Sequence, residues 1–437
     1  MADCIGIRRE DKNEWERRAP LIPDHIRGFV REGLTVTVQP SDIRVFHESE
    51  YEAAGAVVSE DLSKCKVIVG IKEIPKDLFR RHGVYVFFSH VIKGQEYNMP
   101  MLRRMMELGC TLIDYERVVD EKNRRLIFFG RQAGIAGMVE TLVAFGQRLE
   151  FEGVRNPFSA IRRPLMYGSL AEIKAALEML GHWIRAGGLP GEITPVTVGI
   201  TGYGNVSIGA QEMLDILPVT EVTPGELAGV TRETAGAGTT IFKTVFKEED
   251  LVVPASPGGT FELQDYYDHP EKYAGRFEDY LPHLSMLVNC IFWTEDYPRL
   301  VTKQYLKEHW KGLRLKVIGD ISCDVEGSVE ATVRPAEPGD PNYVYEPATG
   351  TIREGIEGDG PVIMAVDILP SEIPRDSSIY FSGVLREYIP EIARADYGVS
   401  FEQLDLPGPV KRAVILHHGE LTPEYRYMTQ FVTEKRR

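Results

Sequence analysis

Three short apolar runs each end in an ionisable side chain. Val67-Ile-Val-Gly-Ile71 leads into Lys72, Val84-Tyr-Val-Phe-Phe88 into Ser89-His90, and Thr111-Leu-Ile113 into Asp114-Tyr115-Glu116. Runs of this kind read as buried strands, and open parallel sheets gather ligands beyond the carboxyl ends of their strands. Lys72, His90 and Glu116 together form a proton-transfer set. Burial and neighbouring cations bring a lysine toward neutrality, where it accepts protons, while a carboxylate opposes that shift. Histidine already titrates near neutral pH. Taken singly, each residue is more often a solvated loop charge; three at equivalent strand ends make the stronger pattern. Arginine pairs supply the substrate side: Arg17-Arg18 before Ala19-Pro20, and Arg124-Arg125 before Leu126. A guanidinium grips a carboxylate with two parallel hydrogen bonds, which suits a di- or tricarboxylate, the other member of each pair being surface charge.

A second constellation lies in the middle of the chain. Pro195-Val-Thr-Val-Gly-Ile-Thr201 runs into Gly202-Tyr203-Gly204-Asn205-Val206-Ser207 and then a helical pattern. Strand, Gly-x-Gly-x-x-Ser and helix is the arrangement that cradles a dinucleotide pyrophosphate. The acid usually found about 20 residues further on, which holds the ribose hydroxyls, is missing. The strand read over Val219–Val222 ends at Thr223-Pro224, with Glu221 and Glu226 close by. NADP therefore stays open beside NAD, with Arg232 a conceivable partner for a 2′-phosphate. The cofactor candidates are Gly202, Tyr203, Gly204, Asn205, Val206, Ser207 and Thr223.

The elements that must position these groups alternate. Strands are expected at Cys4–Ile7, Val36–Val38, Val67–Ile71, Val84–Phe88 and Thr111–Ile113, with helices at Asp24–Glu32, Tyr51–Ala56 and Gln95–Leu108. A long helix over 132–151 leads to an amphipathic one from Ser169 to about Ala186, ended by Gly187-Gly188. A second series follows at Val196–Thr201, Val219–Val222, Met286–Ile291, Leu315–Ile321 and Val362–Val366. The stretch 326–360, rich in Pro and Gly, reads as a long loop or hairpin, with a lid among its roles. A last amphipathic helix is expected near Ser382–Ala395. Alternation of this kind gives an α/β fold with parallel sheets.

At 437 residues, the chain suits two domains or one large α/β unit. Its formal charge of −15 argues against nucleic acid as a partner. No apolar run approaches the roughly 20 residues of a membrane span, and nothing at the N-terminus reads as a signal peptide. A cytoplasmic protein is expected. The five cysteines, Cys4, Cys65, Cys110, Cys290 and Cys323, are scattered and odd in number, which reads as reduced thiols. His417-His418 and the isolated His25, His47 and His82 offer no recognised ligand spacing, so no metal is expected.

These residues are familiar as a set. Residues 8–23 (RREDKNEWERRAPLIP), Val69-Gly-Ile-Lys-Glu-Ile-Pro75, Phe87-Phe-Ser-His-Val-Ile-Lys93, Leu112-Ile-Asp-Tyr-Glu116, residues 129–138 (FGRQAGIAGM), Thr201-Gly-Tyr-Gly-Asn-Val-Ser207, Gly319-Asp-Ile-Ser322 and residues 367–374 (DILPSEIP) resemble the lysine–2-oxoglutarate reductase half of animal and plant α-aminoadipic semialdehyde synthases. More distantly the chain is similar to fungal saccharopine dehydrogenase, alanine dehydrogenase and the transhydrogenase α-subunit. The resemblance implies two Rossmann-like domains of alanine dehydrogenase type. A discontinuous substrate domain, 1–131 and 368–437, would frame a dinucleotide domain, 132–367. It also implies a reaction in which lysine condenses with 2-oxoglutarate and a reduced nicotinamide (NADPH or NADH) captures the imine as saccharopine, or the reverse oxidation. By resemblance Lys72 and His90 are the acid–base pair and Glu116 tunes the lysine. Arg18 then holds a substrate carboxylate, with Lys12, Lys93 and Arg125 lining the site and Asp320 near nicotinamide and substrate.

The implied partners are the small molecules lysine, 2-oxoglutarate and saccharopine, with no nucleic acid and no membrane. A homo-oligomer and a separate saccharopine-oxidising enzyme downstream both stay open. The synthases carry that second enzyme after this region, whereas this sequence stops at Arg437, so a free-standing reductase is expected. A related dehydrogenase with another amine–oxoacid pair, and a nucleotide-binding sensor without chemistry, are the competing readings. Intact Lys72, His90, Glu116 and arginines count against the sensor.

Overall fold

The structure is a computed structural model that describes residues 3–231 and 237–433. Arg232 lies outside the described residues. The chain divides into two compact units, Met1–Phe129 with Pro374–Arg437, and Gly130–Ile373.

The first unit is built on an eight-stranded sheet. From one edge its order is Glu420–Leu421, Val414–His417, Thr111–Asp114, Val84–Phe87, Val67–Val69, Cys4–Ile7, Thr35–Val38 and Val57–Val58. The six strands from Thr111–Asp114 onward are parallel, and Val414–His417 adds antiparallel to Thr111–Asp114. The central strands Val67–Val69 and Val84–Phe87 are buried at every position, as expected of parallel strands covered on both faces. Helix Pro23–Arg31 starts with Pro at its first turn beside Asp24 and buries Ile26 and Phe29. The chain returns to this unit in helix Pro374–Leu385, tied by two serines: the Ala19 amide donates to Ser378 Oγ (2.8 Å) and the Ile22 amide to Ser382 Oγ (3.0 Å). A separate helix, Ile389–Arg394, follows, so the single closing helix of the sequence reading is two.

One cysteine expectation is corrected here. Cys4 and Cys65 form a disulfide with Cα atoms 4.6 Å apart. Cys4 opens one strand and Cys65 lies two residues before its parallel neighbour, a proximity that spacing in sequence does not show. Cys110, Cys290 and Cys323 are free thiols.

The second unit carries another eight-stranded sheet: Thr351–Glu354, Asn342–Glu346, Val362–Met364, Val317–Asp320, Met286–Asn289, Val196–Thr201, Ile241–Phe246 and Val219–Glu221. Ile241–Phe246, absent from the sequence reading, pairs in parallel with Val196–Thr201 over six residues. It thereby displaces Val219–Glu221 to the edge. The region 326–360 contains an antiparallel hairpin that extends the sheet through Val362–Met364, with Tyr343 and Val344 fully buried. Its hairpin is sheet rather than lid. Helix Gly130–Phe151 is buried along most of its length and crosses helix Asn205–Leu214 through facing glycines. A Cβ on Gly134 would lie 1.9 Å from the Val206 carbonyl oxygen, and one on Gly209 2.0 Å from that of Arg131. Among the described residues no helix is long and apolar enough to cross a membrane.

Candidate active site

The parallel register of the first unit brings the ends of four adjacent strands to one sheet edge, and Lys72, His90 and Glu116 follow three of them. The fourth, Cys4–Ile7, contributes Glu10. Its buried carboxylate accepts the Ile71 amide (2.7 Å) and the Lys72 amide (3.0 Å), which holds the main chain under the Lys72 side chain. Burial foremost, then the charge of Glu16, pushes Glu10 up to about 7.

Lys72 is held below the usual lysine range by burial, then by the cations Arg18 and Lys12, with Glu16 and Glu73 opposing. Burial and neighbouring cations favour the neutral amine, the form that serves as a base. His90, in the left-handed backbone region at φ 48°, stands 2.7 Å through Nδ1 from Glu73 Oε1. Asn98 fixes the histidine loop by donating to the Ser89 and His90 carbonyls (2.9 and 3.2 Å). The other Glu73 oxygen accepts from Lys12 Nζ at 2.8 Å. Burial opposes ionisation of Glu73, yet His90 and Lys12 hold it well below the usual carboxylate range. Lys12 and Glu73 line a hollow of about 360 Å³ together with Tyr97 and Met101.

Arg18 is buried, donates from Nε to Glu16 Oε1 at 2.7 Å, pairs through Nη2 with the other oxygen, and lies 4.4 Å over the Phe129 ring. Its partner in this structure is therefore an internal carboxylate. Glu116 pairs with Arg125 at 3.3 Å, and the charges acting most on Lys72 are Arg18, Glu16, Lys12 and Glu73. Burial acts on Lys72 more than any of these charges, and Glu16 and Glu73 are the carboxylates that oppose the downward shift. Beside Glu116, Asp114 is fully buried, pushed up to about 6 by burial and the Glu116 charge, and accepts from Ser89. Lys93 is exposed, its amide bonded to Gln95. Glu10, Glu16 and Glu73 were not singled out from sequence. The only signals were adjacency of Glu73 to Lys72 and of Glu16 to the arginine pair. His417 and His418 stack on one another and bond the Val399 and Tyr397 carbonyls, a structural arrangement.

In the second unit, Gly202 takes φ 82° at the tip of the glycine-loop strand, where a Cβ would stand 3.1 Å from Ile291 Cγ2. Gly204 is the N-cap of helix Asn205–Leu214, Asn205 and Val206 form its first turn, and Ser207 is buried and accepts from Gln211 Nε2 at 3.0 Å. Beside the loop opens a hollow of about 440 Å³ walled by Tyr203, Tyr266, Tyr267, Phe292, Trp293 and Glu248 among others. A tight turn, a helix N-terminus and an aromatic-walled cavity fit a dinucleotide. Thr223 lies elsewhere, at the tip of the edge strand. There its hydroxyl and amide both donate to Glu226 (2.8 and 2.9 Å), capping helix Pro224–Val230. Asp320 is buried in the sheet. It accepts from Asn289 Nδ2 (2.8 Å), Thr332 Oγ1 (2.6 Å) and the Cys323 amide (3.2 Å), and burial raises it to about 6. Its oxygens brace neighbouring strand ends.

Residues 6–136 match the family model described as alanine dehydrogenase/PNT, N-terminal domain. An alpha-aminoadipic semialdehyde synthase of Arabidopsis thaliana is 38% identical over 441 residues, covering 97% of this chain and 41% of the synthase. The chain is homologous to part of that synthase. It spans less than half the length of such relatives. A saccharopine dehydrogenase [NAD(+), L-lysine-forming] of Neurospora crassa is 27% identical, covering 87% of this chain and 89% of the fungal protein. Among solved structures, an L-alanine dehydrogenase matches with a TM-score of 0.61 at 16% identity, covering 98% of this chain and all of that one. The fold is of alanine dehydrogenase type.

Proposed function

We propose that this chain is a nicotinamide-dependent oxidoreductase that joins L-lysine and 2-oxoglutarate into saccharopine, or runs that reaction in reverse. The observation that carries the chemistry is the buried, depressed Lys72 beside the chain Lys12–Glu73–His90 at one sheet edge. The names of the semialdehyde synthase and saccharopine dehydrogenase relatives support the choice of substrates.

Imine formation requires the substrate ε-ammonium to lose a proton and a carbinolamine oxygen to gain one. Lys72 in its neutral form accepts the first proton, and burial and the neighbouring cations favour that form. His90 supplies the second, and Glu73 at Nδ1 fixes the ring and compensates the imidazolium charge. His90, then Lys12, favour the ionised form of Glu73. Gly202, Gly204 and the first turn of helix Asn205–Leu214 hold the cofactor pyrophosphate. The reduced nicotinamide supplies the hydride that converts the imine to a secondary amine.

The test follows nicotinamide absorbance with lysine and 2-oxoglutarate, using NADH and NADPH in parallel. Oxidation requiring both substrates is expected. Inactivity in that direction and with saccharopine plus oxidised cofactor, from protein shown to bind nicotinamide, refutes the assignment.

A further inference from the structure

The topology of the second sheet relocates the residue that reads the cofactor ribose. In dinucleotide-binding sheets of order 3-2-1-4-5-6, the ribose acid stands at the tip of the strand beside the glycine-loop strand. Here the glycine-loop strand Val196–Thr201 is flanked on one side by Met286–Asn289, Val317–Asp320 and Val362–Met364. On its other side lies Ile241–Phe246, with Val219–Glu221 beyond. The second position is thus held by the later strand. Its tip is bound to the glycine loop directly, because the Gly202 amide donates to the Phe246 carbonyl at 2.8 Å. Two residues on, Glu248 lines the same hollow as Gly202 and Gly204.

We infer that Glu248 is the ribose-reading residue of this chain and selects NAD(H) over NADP(H), an inference that rests on the dinucleotide reading above. Its carboxylate accepts the Tyr267 hydroxyl at 2.7 Å, which steadies it on the cavity wall. The Glu248 charge is also the largest influence raising Tyr203, and Glu249 adds to it. Lys247, at the same strand tip, is exposed and does not line the hollow. Lys243, on the strand itself, is engaged by Asp215 and Glu221. A carboxylate there accepts hydrogen bonds from a ribose diol. A 2′-phosphate, with a charge of about −1.5 to −2 at neutral pH, meets like charge. At the edge strand, Glu226 is occupied in capping Thr223 and takes no part.

Binding, rather than turnover, tests this. Fluorescence titration of the wild-type chain with NADH and NADPH is expected to show NADH binding at least about tenfold tighter, the effect of one charge-assisted hydrogen bond and one repulsion. Glu248→Gln should weaken NADH about tenfold and bring the two cofactors within about threefold of each other. Glu226→Gln should leave the ratio unchanged. NADPH binding as tightly as NADH, an unaltered ratio in Glu248→Gln, or a shifted ratio in Glu226→Gln overturns the inference while the dinucleotide site stands. Failure of both cofactors to bind wild-type protein overturns the inference and the dinucleotide reading together.

Discussion

The carboxylate beneath Lys72 makes a prediction that needs no substrate. Glu10 is raised from 4.5 to about 7, so the native state holds its proton more tightly than the unfolded chain does. Stability from this source is therefore complete below about pH 4.5 and is lost as pH rises through about 7. With each pK unit worth about 1.4 kcal/mol, the loss between pH 5 and pH 8 comes to roughly 2–3 kcal/mol. Glu10→Gln removes the titration. The amide oxygen still accepts one of the Ile71 and Lys72 amides, while its NH₂ faces the other, at a cost of about 1 kcal/mol at every pH. Wild type should thus exceed the variant in stability at pH 5, and that advantage should shrink or reverse by pH 8. Urea unfolding of both proteins by far-UV circular dichroism, at matched pH values, isolates Glu10 because all other titrations are shared. A stability difference that changes by less than about 1 kcal/mol across this range refutes the reasoning.

Other expectations follow from single contacts. Lys72→Met, a nearly volume-matched loss of the amine, should cut turnover by about 10²–10⁴, with NADH affinity by fluorescence unchanged within about twofold. In the second unit, Glu140 and Glu372 are both buried and share Arg163, at 2.9 and 3.7 Å; burial, then the Glu140 charge, pushes Glu372 well above the usual range. A group with a raised pKa loses stability as pH climbs, so Glu372→Gln should raise the thermal midpoint at pH 8, with the gain fading toward pH 5. Gly209→Ala should destabilise by roughly 3 kcal/mol or yield insoluble protein, because the helix crossing has no room for a methyl group; an unchanged midpoint would count against that packing.

Much of the first unit was legible because its strands are short apolar runs whose periodicity needs no partner to be seen. The strand-end rule then carried Lys72 and His90 to one edge. What it did not reveal was which acid faces which base. Glu116 has the strand-end position, but its visible partner is Arg125, whereas Glu73 bridges His90 and Lys12 from a loop. Such choices depend on side-chain reach across strands. Arg18 shows the same limit, because sequence suggests an anion-binding guanidinium and only geometry shows Glu16 already bound to it. The Cys4–Cys65 proximity is likewise a matter of register between neighbouring strands.

The strand Ile241–Phe246 escaped the sequence reading for a more specific reason. Counting about 20 residues from the glycine loop assumes that the next strand in sequence is the next strand in the sheet. Ile241–Phe246 is buried at four of its six positions but carries Lys243 and Thr244 in its middle, so it lacks the unbroken apolar signature that flags a central parallel strand. That lysine is tolerated because its ammonium reaches Asp215 and Glu221 at 2.9 and 3.0 Å, a pairing invisible until the edge strand is in place. Once the strand order is known, a candidate for the missing acid comes into view. The residue to examine moves from Thr223, at the edge strand, to Glu248, beyond the strand that pairs with Val196–Thr201 over its whole length. On the inference drawn above, the carboxylate sought at Thr223 stands at Glu248 instead.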